Sequence, residues 1–111
     1  MDYLMEHFFD FEAGTVYAFR IDGQTVVAQV KGRKGEYIVL DDPHQLTFMP
    51  PTGPGEGYQV GLMPFIPGMS EDKEVLISEN ALSGIANVNI ELHSLYMQAT
   101  TGLQISTTTG L

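Results

Sequence analysis

Hydrophobic and polar residues alternate along most of the chain, and an alternation of period two is typical of β-strands. Tyr17, Phe19 and Ile21 alternate with smaller or charged residues. The following Asp22-Gly23 pair predicts a two-residue hairpin turn, because both residue types tolerate a positive φ. Further segments of strand composition cover 26–30, 36–40, 45–49, 58–66, 74–78 and 82–88. The pattern predicts a mostly β chain of about five or six short strands.

A helical period is found near the two ends of the chain. Leu4, Phe8 and Phe11 stand at i, i+4 and i+7, which predicts a short N-terminal helix lying on the sheet. A second apolar helical face is formed by Leu92, Leu95, Tyr96 and Ala99. It predicts a C-terminal helix with Asn87 or Asn89 as the N-cap, and a strand through this segment is the alternative. Residues 106–111 are expected to form a flexible tail.

Glycine, proline and aspartate interrupt the strand pattern at three places. Residues 32–35 predict either a turn or a bulge in a long bent strand, whereas Asp41-Asp42-Pro43 is typical of a turn. The Pro- and Gly-rich residues 50–57 exclude a helix or a central strand there. No linker or repeat divides the chain, so residues 1–111 are expected to form a single domain with a strongly curved sheet.

Composition and charge narrow the function classes. The chain has 43% hydrophobic and 17% charged residues, so it is expected to fold, and it has no cysteine for disulfides or thiolate metal sites. Five Lys and Arg against fourteen Asp and Glu give a net charge of −9, which disfavours non-specific nucleic-acid binding. The acidic first residues and the proline-broken apolar segments predict a cytoplasmic protein without a membrane partner.

Two motifs resemble those of one known family. Leu40-Asp41-Asp42-Pro43-His44-Gln45-Leu46-Thr47-Phe48 is similar to the first motif of Sm-like proteins, with His44-Gln45 standing where Met-Asn is usual. The segment 22–30 is similar to the family's second strand, and 77–85, with Asn80, to its second motif. The chain therefore resembles the Sm-like (LSm) superfamily over Thr15 to Ile85, and within it the small acidic Sm-like proteins of phage, particularly cyanophage, origin.

The resemblance implies a fold, an assembly and a ligand. The fold would be a strongly bent five-stranded antiparallel sheet, or open barrel, with a short N-terminal helix. The assembly would be a homo-oligomeric ring of about five to seven subunits, and the ligand single-stranded RNA, as in RNA chaperones. The sequence departs from the family at Pro43, Gln45 and Ser78-Glu79, where a stacking residue, an Asn and an Arg-Gly step are common.

Strand edges give a physical reason for the ring. A bent open sheet has two edges with unpaired N–H and C=O groups, and few charges protect the predicted edge strands. Pairing one edge with the opposite edge of a neighbouring copy would satisfy both and close a cycle. A barrel closed within one chain is the alternative. The residues expected at the edges are Val75, Leu76, Ile77, Leu82 and Ile85.

Six residues are candidates for RNA contact, partly on the resemblance. His44 and Gln45 would contact bases, Asp41 would brace their loop, and Arg33 and Lys34 would contact phosphates. Asn80 of the second motif completes the set. For each there is an ordinary structural alternative, namely a polar strand end for His44-Gln45 and a solvated turn for Arg33-Lys34.

A second function class is a structural or protein-interaction ring without RNA binding. The apolar loop candidates for such contacts are Met63, Phe65, Ile66 and Met69. Asp41, Asp42 and His44 together suggest a metal site less strongly than a turn. No motif of a nucleophilic triad, phosphate loop or dinucleotide fold is present, so no catalytic residue, metal or cofactor is expected.

Overall fold

The computed structural model describes residues 11–50, 53–55, 57, 59–68 and 73–101. The predicted N-terminal helix and the predicted tail lie outside these residues, except for Phe11. Among the residues described, no helix is both long enough and apolar enough to cross a membrane.

Six antiparallel strands form one sheet, and one helix follows it. The elements in chain order are β1 (Val16–Ile21), β2 (Gln24–Lys34), β3 (Tyr37–Met49), β4 (Gln59–Pro64), β5 (Glu74–Ser78), β6 (Leu82–Asn87) and α1 (Ile90–Thr101). The strand order is β4-β3-β2-β1-β6, and β5 also pairs with β3. The mostly β prediction is confirmed, and the sheet is open rather than closed into a barrel.

The structure has six strands where the resemblance implied five. The first half of β3, Tyr37 to Asp41, pairs with β5, and its second half, His44 to Met49, pairs with β4. Both strands lie on the side of β3 that faces away from β2. β4 and β5 therefore share this one edge of β3, because the chain leaves the sheet after Pro64 and returns at Glu74.

The turn chemistry of the first hairpin is as predicted. Asp22 and Gly23 have φ values of 56° and 79° and connect β1 to β2, with Ile21 paired to Gln24. Two consecutive positive φ values match the right-handed twist of the flanking strands. The second hairpin turns at Gly35-Glu36, between β2 and β3.

The prediction of a turn at Asp41-Asp42-Pro43 is wrong, because β3 continues through these residues. Between the pairs Val27–His44 and Gln29–Asp41, β3 contains one residue more than β2, which makes this segment a β-bulge. Asp42 takes a left-handed φ of 50°, and its N–H donates to the carbonyl of Lys73 at 2.8 Å. Pro43 has no N–H to pair, and its position in the bulge leaves the β2–β3 hydrogen-bond ladder intact on both sides.

A second bulge lies in β2 and bends the same pair of strands. The pairs Val30–Leu40 and Gly32–Val39 leave one extra residue, Lys31, in β2. Residues 32–34 therefore continue the strand directly after the bulge at Lys31, and the turn is formed by Gly35-Glu36.

Each face of the sheet carries an apolar cluster. The larger cluster contains Tyr17, Phe19, Ile21, Val26, Ala28, Val30, Ile38, Leu40 and Leu82. The smaller one lies on the opposite face and joins Val16 and Val27 to Tyr96 of α1. The helix thus packs on one face of the sheet through the buried Tyr96, with the partly buried Leu92 and Met97 beside it.

The C-terminal segment is a helix, as predicted, and not the alternative strand. The Asn89 side chain accepts a hydrogen bond from the N–H of Leu92 at 2.8 Å, which identifies Asn89 as the N-cap. Asn87 belongs to β6.

Candidate functional site

Two outer strand edges carry no partner within the described part of the chain. One belongs to β6, which pairs only with β1, and the other to β4 and β5, which pair only with β3. The N–H of Glu79 donates to the carbonyl of Glu36, and the N–H of Asp42 donates to the carbonyl of Lys73. These two hydrogen bonds determine which residues of β5 direct their backbone groups toward β3. Because alternate residues of a strand direct their N–H and C=O groups to opposite sides, those of Glu74, Leu76 and Ser78 point outward from the sheet.

The predicted edge residues divide between the core and the outside. Leu82 is buried in the larger cluster, and Ile77 and Ile85 pack against that cluster. Val75 is half-buried, and Leu76 is 49% exposed. The side chains thus anchor β5 and β6 to the core, and the outer backbone groups have no strand partner within the described ranges.

The β2–β3 hairpin and the turn between β5 and β6 meet at one end of the sheet. Glu79 is 5% exposed, its N–H donates to the carbonyl of Glu36 at 3.0 Å, and its Oε1 lies 2.8 Å from Nη1 of Arg33. The Arg33 guanidinium also lies 4.6 Å from the centre of the Phe11 ring. Arg33, predicted to contact phosphate, is therefore engaged in a part-buried ion pair and a cation–π contact.

Three other residues at this hairpin end are exposed. Lys34 pairs with Tyr37 across the turn, and Tyr37 pairs with Ser78 of β5. The Tyr37 ring is 48% exposed, and Lys34 and Asn80 are exposed as well. An accessible aromatic ring beside an ammonium group can stack on a base and attract a phosphate.

His44 and Gln45 lie on opposite faces of the sheet, because consecutive strand residues alternate. His44 is 6% exposed and contacts Tyr96 edge-on, with the ring centres 6.1 Å apart. Gln45 is half-buried between Val26 and Met63. The two side chains cannot line one surface, and they lie seven and eight residues along the strand from Tyr37, which is about 23–26 Å at about 3.3 Å per residue.

A polar network surrounds the bulge. Nδ1 of His44 lies 3.0 Å from the carbonyl oxygen of Asp42, and the hydroxyl of Tyr96 donates to the carbonyl of Asp41 at 2.6 Å. The N–H of Gln29 donates to the same hydroxyl at 3.2 Å. Burial raises the pKa of Tyr96 to about 12. Burial also raises the pKa of Asp41, with smaller contributions from neighbouring acids that Lys31 opposes.

Two adjoining cavities of about 290 and 230 Å³ open beside Asp42 and Lys73. The first is also lined by Asp41 and Tyr96, and the second by His44. Nζ of Lys73 lies 3.9 Å from the Asp42 carboxylate. Within the ranges described, no group of three or more acidic or histidine side chains is arranged to hold a metal ion, so Asp41, Asp42 and His44 do not form a metal site here.

The predicted protein-interaction residues differ in exposure. Met63 and Ile66 are 56% and 43% exposed, whereas Phe65 packs against the larger core cluster. The N–H of Phe65 also donates to the carbonyl of Pro43 at 2.9 Å. Met69 lies outside the described residues. Among the described candidates, the exposed side chains are therefore those of Met63 and Ile66, at and just after the end of β4.

An apolar groove of about 420 Å³ separates β4 from α1. Its walls are formed by Leu46 and Val60 on the sheet and by Leu92 and Leu95 on the helix. Phe48, the cross-strand partner of Val60, is 67% exposed beside it. The β3–β4 hairpin thus carries exposed apolar side chains, and neither residues 45–49 of β3 nor the strand Gln59–Pro64 contains a charged residue.

Sequence reasoning missed Tyr37 and Tyr96. Tyr37 was assigned only to a strand, and the Lys34-Gly35-Glu36 turn that places it beside a cation was the available signal. Tyr96 was assigned to an apolar helical face, but nothing local to the helix predicts that its hydroxyl reaches backbone groups of β2 and β3.

Comparison with known proteins adds no relative: no protein-family model matches the chain, and no curated protein matches it. The outer sheet edges and the hairpin end are therefore the features from which a function can be inferred.

Proposed function

We propose that this chain is a Sm-like ring subunit, in which β5 of one copy pairs with β6 of the next to close a homo-oligomer of about five to seven subunits. One observation carries the proposal: a single open sheet presents β5 on one side and β6 on the other, each with an unpartnered outer edge in the described residues. The strands have five and six residues, so they match in length.

The charge pattern supports this pairing. β6 contains no charged residue, and the only charged residue of β5, Glu74, forms an ion pair with Lys31 of its own chain at 3.0 Å. Edge strands of monomeric proteins are usually protected by charges, prolines or bulges. A head-to-tail contact between two unlike edges closes into a cycle when its rotation divides a full turn.

The ligand that we propose for the ring is single-stranded RNA, bound at the hairpin end rather than at His44 and Gln45. Tyr37 would stack on a base and Lys34 would contact a phosphate, with Asn80 available for hydrogen bonds. The ring would repeat this small site in every subunit. The nearby Glu36 and the acidic net charge of −9 favour weak, salt-dependent binding.

Retention of oligo-U and oligo-A at low salt tests the RNA proposal. Tyr37→Ala should weaken retention by about tenfold, because a stacked base contributes about 1–3 kcal/mol. Lys34→Ala should weaken it and reduce its salt dependence. Gln45→Ala is the matched control on the same strand and should have no effect. Absence of retention by the wild-type ring at low salt would reject RNA as the ligand.

The alternative is a ring that binds a protein partner, favoured by the exposed Met63 and Ile66. It predicts an association that persists after nuclease treatment and is lost in the M63S/I66S variant. Phe65 is unsuitable for this test, since its substitution would also disturb the core. Tyr37→Ala should leave this association unchanged.

A further inference from the structure

The β4 edge is not used in the proposed ring. β4 and β5 together offer eleven strand residues along β3, in segments of six and five, whereas β6 has six. One β6 strand can therefore cover only one of the two segments. If β5 is that segment, as in the proposed ring, the outer side of β4 is still unpaired in every subunit.

The hydrogen bonds between β3 and β4 determine which backbone groups of β4 point outward. The N–H of Phe65 donates to the carbonyl of Pro43, and the β3–β4 register continues without a shift from His44–Pro64 to Met49–Gln59. The outward positions are consequently Val60, Leu62 and Pro64. They present two N–H groups and three carbonyl groups, because proline has no N–H.

We propose that β4 pairs antiparallel with β4 of a second copy about a two-fold axis at Leu62, so that two rings join face to face. In this register the two Leu62 residues exchange hydrogen bonds, and each Val60 N–H donates to the carbonyl of the other copy's Pro64. Both outward donors of β4 then find acceptors within the partner's β4. Moving the axis to Gly61 would instead place the Pro64 carbonyl opposite a residue beyond the strand.

The side chains of β4 suit contact with a second copy. The residue opposite Met63, which is 56% exposed, would be Gly61 of the other copy, so the bulky side chain meets a position without one. β4 has no charged residue, although the chain carries a net charge of −9. Two copies with this net charge repel each other, and β4 is a segment where they can approach without opposing like charges.

Paired charge variants test the proposed register. Gly61 is a strand residue of β4 that pairs with Thr47, a backbone conformation that other residues adopt. The G61E/M63E variant places carboxylates of the two copies directly opposite each other, whereas G61K/M63E places a lysine opposite each carboxylate. Their native masses should be measured at low ionic strength, where these charges are least screened. Circular dichroism is the control that tests whether both variants are folded.

The wild-type protein is expected to have the mass of two rings, G61E/M63E half of that mass, and G61K/M63E the wild-type mass. Equal masses for the three proteins, or a folded G61K/M63E that stays halved, would overturn the proposal. The choice of β4 rests on the proposed ring, and the experiment distinguishes a failure of β4 pairing from a failure of the ring. A wild-type protein of only two copies that G61E/M63E splits into single chains would support β4 pairing and contradict the ring.

Discussion

At the scale of the residue, two buried polar side chains connect parts of the chain that lie far apart in sequence. Glu79 connects the β5–β6 turn to Arg33 of β2 and to the backbone of Glu36. Tyr96 connects α1 to backbone groups of Gln29 and Asp41. Each contact spans strands that the local sequence pattern does not relate, so each is a point where the three-dimensional arrangement can be tested by one substitution.

Arg33→Met should lower the free energy of unfolding by about 3 kcal/mol, because the buried Glu79 carboxylate loses the cation beside it. Urea unfolding measures the change. Lys34→Met is the matched control at the neighbouring exposed cation and should change the stability by less than about 0.5 kcal/mol. In R33M/E79M the loss should be smaller than in Arg33→Met alone. Equal losses for Arg33→Met and Lys34→Met would contradict the ion pair.

Tyr96 predicts a dependence of stability on alkaline pH. Its pKa of about 12 in the folded protein lies above the ordinary value of 10.0. The unfolded chain therefore loses this proton first, and the contribution of Tyr96 is intact below pH 10 and is lost as the pH rises from 10.0 to about 12. Tyr96→Phe should lower stability at neutral pH by about 1–3 kcal/mol, through unpaired backbone groups.

The pH series compares the wild-type protein with Tyr96→Phe by chemical unfolding at several pH values. The stability difference between the two should shrink above pH 10, since the variant has no hydroxyl to titrate. A difference that stays constant up to pH 12 would show that burial does not hold the Tyr96 proton.

At the scale of the element, the helix α1 is stabilised by an N-cap for which the sequence offered two candidates. Asn89 caps α1 through its side chain, and Asn87 lies at the end of β6. Asn89→Ala should lower the free energy of unfolding by about 1 kcal/mol, because the N–H of Leu92 loses its acceptor. Asn87→Ala is the matched control. If thermal unfolding shows the same loss for both variants, the assignment of the cap is wrong.

The elements also show which features local patterns can predict. Alternation and the Asp22-Gly23 pair predict the β1–β2 hairpin, because turn type and strand period depend on neighbouring residues. Asp41-Asp42-Pro43 has turn composition, yet β3 passes through it, since pairing with β2 and β4 on either side holds the bulge within the strand. His44 and Gln45 were both expected to contact bases, and strand alternation places them on opposite faces of the sheet.

At the scale of the whole molecule, the open sheet has two unlike outer edges that carry no partner within the described residues, and the proposed self-assembly would cover both. The length of the β4–β5 edge depends on long-range pairing and was not predictable from sequence periods. The sequence did predict β5 at its observed bounds, and with it one of the two strands of the proposed interface.

Native mass at micromolar concentration is the most direct test of that interface. The wild-type protein should have a mass that corresponds to a closed ring, or to two such rings, of the 12.2 kDa chain. Leu76→Pro should give single chains or β4-paired copies, because it removes an outward N–H of β5 at a position where a lone edge strand tolerates proline. Ile90→Pro, at the first position of α1, is the control and should keep the ring. A wild-type mass of 12.2 kDa would contradict the account.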